Sequence, residues 1–279
     1  MLQAPDTRSW LLLAIAAATA GLWLLCAAAA LAAVLPDPEA LKQGLTDPPR
    51  VIEVVEPHAT RTRMQRARYL GWPAVLVLDH LFGSAWRAPG TEVEFSALDG
   101  YVSRIPFQRF LDFPAFVVFD SADPPGRFTV DVPSQNEKSV ALGPYYLVWD
   151  NIHHPELLAD GAVGWPYQVS EVNLSPSSLD NVLLPGQMAD RYADDAAFAQ
   201  KYCLTCHKIN GFGGDKWPID LARRAKELDP MTFERWVLMP GAVKPGTTMP
   251  PLAERMLQAE RQAWAQRLYA YLNALPEAP

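Results

Sequence analysis

From Leu11 to Val34 the chain runs 24 residues without a charged side chain, and eleven of them are alanine. Such a run must leave water, so it restricts the fold more than any other feature. As a helix rising ~1.5 Å per residue it would reach about 36 Å, enough for a hydrocarbon layer ~30 Å thick. Residues 1–34 therefore read as a transmembrane anchor, with Trp10 at an interface. Arg8 precedes the run, and Asp37 and Glu39 follow it, which puts the N-terminus in the cytoplasm and the remainder outside. A cleaved signal peptide is the alternative. Its apolar part is usually only ~7–15 residues, but Ala30-Leu31-Ala32 has the small-x-small form that a signal peptidase accepts. Bulky Leu25 disfavours lipid attachment at Cys26. Every one of these routes exports the rest of the chain; the expected location is a bacterial inner membrane, crossed once, with the domains in the periplasm.

The 279 residues suffice for two modest domains. Charge divides them: residues 35–189 carry 11 basic and 19 acidic side chains, net −8, whereas residues 190–279 carry 12 and 11, net +1. An acidic middle and an overall charge of −7 argue against a nucleic-acid partner. Proline, 26 residues, is frequent enough to disfavour an all-helical chain. Leu35 to Pro49, with four prolines, reads as a 35–49 tether, and the Ser-, Asn- and Pro-rich stretch 176–188 as a linker between domains at 50–175 and 189–279.

The motif that carries chemistry is Cys203-Leu204-Thr205-Cys206-His207. C-x-x-C-H reads as covalent attachment of one c-type haem. Two thiols three residues apart on a helical turn each bond one vinyl group, and the adjacent imidazole is aimed at the iron. A thioredoxin-like C-x-x-C would follow a strand, whereas Asp194 to Gln200 reads as a helix start with Asp194 as N-cap. A structural zinc site needs four ligands, and no further cysteine lies nearby. A plain disulfide would leave His207 unexplained. The sixth iron ligand is assigned to Met249, in the stiff loop Pro245 to Leu252, 42 residues after His207. Met239, ending an apparent helix from Met231 to Leu238, and Met256, at the start of another, are its rivals.

By these residues the C-terminal part resembles the class I monohaem cytochrome c family. Phe198 resembles the aromatic that packs on the last helix. Gly213-Gly214 and Pro218 resemble the segment whose proline carbonyl accepts the N–H of the proximal histidine, although Trp217-Pro218-Ile219 departs from its usual form. Phe233 and Trp236 resemble the helix walling the haem. Trp264, Leu268, Tyr271, Leu272 and Leu275 share one face of a terminal helix. The resemblance implies an all-α cytochrome c domain. His207 and Met249 would then hold the iron, Cys203 and Cys206 the porphyrin, and Pro218 the ring of His207. Two axial ligands leave no open position on iron, which suits electron transfer rather than catalysis.

In the middle region, Val51 to Val55, Thr91 to Phe95, Ala115 to Phe119 and Pro144 to Trp149 are β-branched and aromatic runs bounded by turn residues, and Pro73 to Phe82 reads as a helix closed by Gly83. An α+β, mostly β, domain is expected. Gly71-Trp72-Pro73, Ala97-Leu98-Asp99-Gly100-Tyr101, Gly143 to Val148 and Trp165 to Val169 resemble the molybdopterin-binding oxidoreductase (sulfite oxidase) family. That family ligates molybdenum with a cysteine thiolate, and no cysteine lies between Cys26 and Cys203, so molybdopterin is not expected. Neither His153-His154, nor Asp120, Asp123 and Asp131, has the spacing of a metal site, and Arg61, Arg63, Arg66 and Arg68 read as a solvated face.

The reading is a multidomain, membrane-anchored periplasmic c-type cytochrome. It would pass single electrons between a donor and an acceptor protein of a respiratory or dehydrogenase complex. The alternative is an oxidoreductase or oxidase-complex subunit whose middle domain binds a redox cofactor or docks a partner.

Overall fold

A computed structural model describes residues 31–59, 64–176 and 182–276. Ala32–Pro279 forms one compact unit that encloses two hydrophobic cores, the first built from residues 35 to 174 and the second from residues 183 to 275.

In chain order, β1 (Leu31–Val34) leads to α1 (Pro38–Gly44), β2 (Arg50–Val55), β3 (Arg66–Pro73), α2 (Ala74–Phe82), β4 (Thr91–Ala97), β5 (Val102–Pro106), α3 (Phe107–Asp112) and β6 (Ala115–Ser121). Then follow β7 (Thr129–Val132), β8 (Glu137–Ala141), β9 (Tyr146–Trp149) and β10 (Val169–Pro176). Two four-stranded sheets hold the first core, one ordered β1-β10-β4-β5 and the other β2-β3-β6-β9. The period-2 strands turn apolar residues inward: Val93, Phe95 and Ala97 along β4 are buried, as are all four residues of β9. Between them lies an aromatic layer in which Phe110 meets Trp149 at 5.1 Å, Phe95 at 6.0 Å and Trp86 at 6.2 Å. Three buried indole N–H groups find acceptors: Trp149 donates to the Gly164 carbonyl (2.7 Å), Trp86 to Asp79 (2.8 Å) and Trp72 to the Asp47 carbonyl (3.0 Å).

The C-terminal part contains α4 (Ala189–Tyr202), β11 (Lys208–Ile209), β12 (Phe212–Gly213), α5 (Leu221–Lys226), α6 (Pro230–Leu238), α7 (Pro240–Val243) and α8 (Gln258–Ala274). Helix α8 crosses α4, α5 and α6 and buries Ala265, Leu268, Tyr271 and Leu272 against them.

The structure corrects the expected fold class. The C-terminal part is not all-α. Asn210 and Gly211, at φ 49° and 82°, make the left-handed pair a tight hairpin needs, and β11 and β12 pair across them. The transmembrane helix is not shown either. Residues 1–30 lie outside the described residues, the last four residues of the apolar run form β1 beside β10, and no described helix is long and apolar enough to cross a membrane. The expected middle and C-terminal regions lie within the one compact unit, each around its own core, and loops of the first part hydrogen-bond directly to the second. The expected tether coils into α1, where Asp37 caps the Ala40 N–H (2.9 Å) and Leu41 is buried. In the expected linker, Leu183 and Leu184 are buried in the second core. Helix α4 starts before Asp194, and the next residue, Asp195, is buried in a bidentate pair with Arg267 at 2.8 and 3.2 Å.

Candidate functional site

Cys203 terminates α4, its N–H still bonded to the Ala199 carbonyl (2.8 Å). The Cys206 and His207 N–H groups then both donate to the Cys203 carbonyl, at 3.2 and 3.0 Å, so the two thiols sit one helical turn apart. The hairpin β11-β12 brings the chain back beneath this turn. The Gly214 N–H donates to the Leu204 carbonyl (2.8 Å), and a side chain on Gly214 would collide with the Thr205 carbonyl. Phe198, on the inner face of α4, stacks on Trp264 of α8 with ring centroids 3.9 Å apart and planes 9° apart.

Cys203, Cys206, His207 and Met249 all line a single cavity of ≈ 240 Å³ open to water centres. One water needs only about 10–15 Å³ by this measure, so the space far exceeds a hydration site. Phe233 and Val237 of α6 line it too. Trp236, expected on that wall, is not among the lining residues.

Both thiols are free, and burial pushes both pKa values up, that of Cys203 to about 12. A redox-active C-x-x-C has a lowered thiol pKa, the opposite of the direction at this pair. Burial pushes the His207 imidazole down, with the Trp217 backbone opposing it. That backbone contact falls short of a hydrogen bond, leaving Nδ1 of His207 buried without a partner. Pro218, the expected acceptor, is exposed and takes no hydrogen bond from the ring. The departure lies in the loop itself: the Trp217 N–H is drawn to the Cys206 carbonyl (3.0 Å), which puts Trp217 rather than Pro218 against the ring.

The loop carrying Met249 is braced by its own N–H, which donates to Thr247 Oγ1 at 3.2 Å. The structure separates its rivals. Met239 is exposed and borders a shallow cleft with Pro240 and Arg261, outside this cavity, whereas Met256 lines the cavity and packs against the second core.

These residues fit a covalently attached haem. Two thiols are one turn apart, and an imidazole and a thioether line the same cavity. A porphyrin supplies four of the iron's ligands itself, so two protein ligands complete the set and no larger cluster is required. Among the described residues no three His, Cys, Asp or Glu side chains converge on a metal site. His153 is paired with Asp150 (2.8 Å), His154 faces Glu156 and Phe113, and Asp120 and Asp131 accept backbone N–H groups of their own turns. Arg66 and Arg68 pair with Glu53 and Asp123, while Arg61 and Arg63 lie outside the described residues.

Sequence reasoning did not single out the other side of the cavity. Tyr101, Trp165 and Tyr167 of the first part line it beside His58. Behind His58, buried Glu56 accepts the hydroxyls of Tyr69 (2.6 Å) and Tyr146 (3.0 Å). Tyr101 and Trp165 belong to fragments already notable in the sequence, but His58, a lone histidine after a proline, carries no local signal.

No protein-family model matches the chain, and no curated protein is significantly similar to it.

Proposed function

We propose that the chain is an exported c-type electron carrier, with one haem held covalently by Cys203 and Cys206 and ligated through His207 and Met249. The observation carrying this reading is that these four side chains, from segments more than forty residues apart, line one cavity. Haem iron supplies one-electron chemistry at little structural cost. The chain's residues do the rest. Cys203 and Cys206 would hold the haem through thioether links, each S–H adding across one vinyl double bond with no net electron change. His207 would ligate through its imidazole, whose charged form burial disfavours. Met249, a soft thioether, would favour reduced iron, and the apolar lining from Phe233, Val237 and Leu272 would act in the same direction. The uncharged run from Leu11 to Val34 supports export to the periplasmic side of a bacterial inner membrane, where donor and acceptor would be redox proteins of a membrane respiratory complex.

A pyridine haemochrome spectrum of the denatured chain, expressed with c-type maturation, is expected to show one covalent haem per chain. A colourless chain overturns the reading. In the oxidised protein Met249→Ala is expected to abolish the near-infrared sulfur-to-iron band; if the band survives, Met256 is the ligand.

A further inference from the structure

Three loops of the β-rich first part grip the segments that carry the two proposed iron ligands. The first is the turn between β4 and β5. Asp99 folds it by accepting the Tyr101 N–H (3.0 Å), and Gly100 holds φ 85° against the backbone of Asp215. From this turn the Val102 N–H donates to the Thr205 carbonyl (2.9 Å), inside the Cys203–His207 turn, and the Gly100 carbonyl accepts the Asp215 N–H (2.8 Å). Lys216 closes the contact on Asp99 at 2.7 Å, an ion pair that outweighs burial and raises the lysine pKa.

The second loop is the turn after Val132. There Asn136, at φ 57°, donates from Nδ2 to the Thr247 carbonyl (2.7 Å), two residues before Met249. Pro133, Ser134 and Gln135 of that turn line the cavity. The third loop, residues 159 to 167, lines the cavity with Trp165 and Tyr167, and its Asp160 binds Lys201 of α4 (2.7 Å) together with Arg109 of α3 (2.8 Å).

We propose that the β-rich part is one wall of the haem pocket: the 99–102 turn holds the segment bearing His207, Asn136 positions the segment bearing Met249, and Tyr167 and Trp165 close the cavity. The proposal rests on the electron-carrier reading and gives the middle region a task within it. The iron's sixth ligand and its potential then depend on residues over a hundred positions upstream. Asn136 is a positioning residue, acting through the Thr247 carbonyl rather than touching the iron.

The test uses the full holo chain with Asn136→Asp and Tyr167→Leu. Aspartate keeps the left-handed turn but loses the donor to Thr247; leucine keeps an apolar wall but loses the ring. Both variants are expected to retain one covalent haem. In Asn136→Asp, added imidazole should displace the sulfur ligand, read from the near-infrared band, at a concentration at least fivefold lower than in the wild type. In Tyr167→Leu water gains access, and the one-electron equilibrium should move about fivefold toward the ferric form, about 40 mV at 59 mV per decade. Haem-bearing variants in which both quantities stay within twofold of the wild type overturn the proposal and leave the electron-carrier reading standing. A wild-type chain without covalent haem overturns both. Asn136 is exposed, so its variant remains informative even if Tyr167→Leu fails to fold.

Discussion

The two cores close in different ways. The first is filled mainly by its own side chains, with Trp72, Trp86, Trp149, Tyr145 and Tyr146 almost wholly buried and their polar side-chain atoms bonded within the same part. The second is made largely of alanine and leucine on helices, and several of its members, Phe233, Val237, Leu252 and Leu272 among them, spend part of their surface on the cavity instead of on each other. A core packed to crystal-like density resists any loss of volume. A core that shares its faces with a site draws stability from whatever binds there. The β-rich part should thus be stable in its own right, and the helical part should be the one whose order follows haem attachment.

The largest effect expected from this contrast comes from Cys203→Ser combined with Cys206→Ser. The denatured double variant should carry no haem. In the native state, amide exchange near Ala196–Ala199 and Ala265–Leu272 should quicken tenfold or more, while Val117, Val118, Leu147 and Val148 exchange as in the wild type. Equal acceleration in both regions would show that the cores are not separable in stability.

Trp149→Ala probes the opposite half. Its ring packs on Phe110 and its N–H on the Gly164 carbonyl, so truncation leaves a cavity and an unpaired acceptor at a cost of about 3–5 kcal/mol in urea unfolding. Covalent haem content should not change. Glu56→Ala in the same core strips the acceptor from Tyr69 and Tyr146, two buried hydroxyls, and should cost about 1–3 kcal/mol; Glu56→Gln, which keeps one acceptor oxygen, should cost less.

The seam between the two regions has a pH signature. Burial would raise the Asp160 carboxyl, but Lys201 and Arg109 outweigh it and hold the pKa below the usual value. A carboxylate with a lowered folded pKa contributes stability that is fully present above its unfolded pKa, about 3.9, and is lost as pH falls through the folded value. Acid unfolding of Asp160→Asn should therefore be less steep below about pH 4 than that of the wild type. Identical curves would mean that this ion-paired contact does not help hold the regions together.

How much of this the sequence discloses depends on range. Strands β2, β4, β6 and β9, helix α2 with Gly83 behind it, and α6 announce themselves through period, turn residues and caps, all within about ten positions. The C-x-x-C-H turn and the proline-braced Met249 are legible for the same reason. Strand β1 is not, because Leu-Ala-Ala-Val is compositionally continuous with the apolar run before it and becomes a strand only by pairing with β10. The hairpin that breaks the all-helical expectation has two-residue strands, too short for a period, and its one local sign is Asn210-Gly211. Beyond reach altogether are the contacts that build the far wall of the cavity. Val102 to Thr205, Asn136 to Thr247 and Asp160 to Lys201 join residues far apart in the chain, and nothing local in either partner names the other.

The smallest effect tests whether that hairpin is a rigid support for the haem turn or a passive return. Asp220 sits where the hairpin meets α5. Its Oδ1 caps the Ala222 and Arg223 N–H groups at 3.0 and 3.4 Å, and its Oδ2 accepts the Gly211 N–H at 3.3 Å, tying the helix start to the Asn210-Gly211 turn. Removing an N-cap costs about 1 kcal/mol. Asp220→Ala should lose that much in urea unfolding. If the hairpin supports His207 from below, the variant should also lose the near-infrared sulfur-to-iron band at a lower temperature than the wild type. Asp220→Asn, whose single amide oxygen keeps the cap while its NH2 cannot accept from Gly211, should restore the unfolding stability but not the band. A stability loss with an unmoved band would assign the hairpin to the second core alone and leave the grip on the haem turn to Gly100, Val102 and Lys216 on its other side.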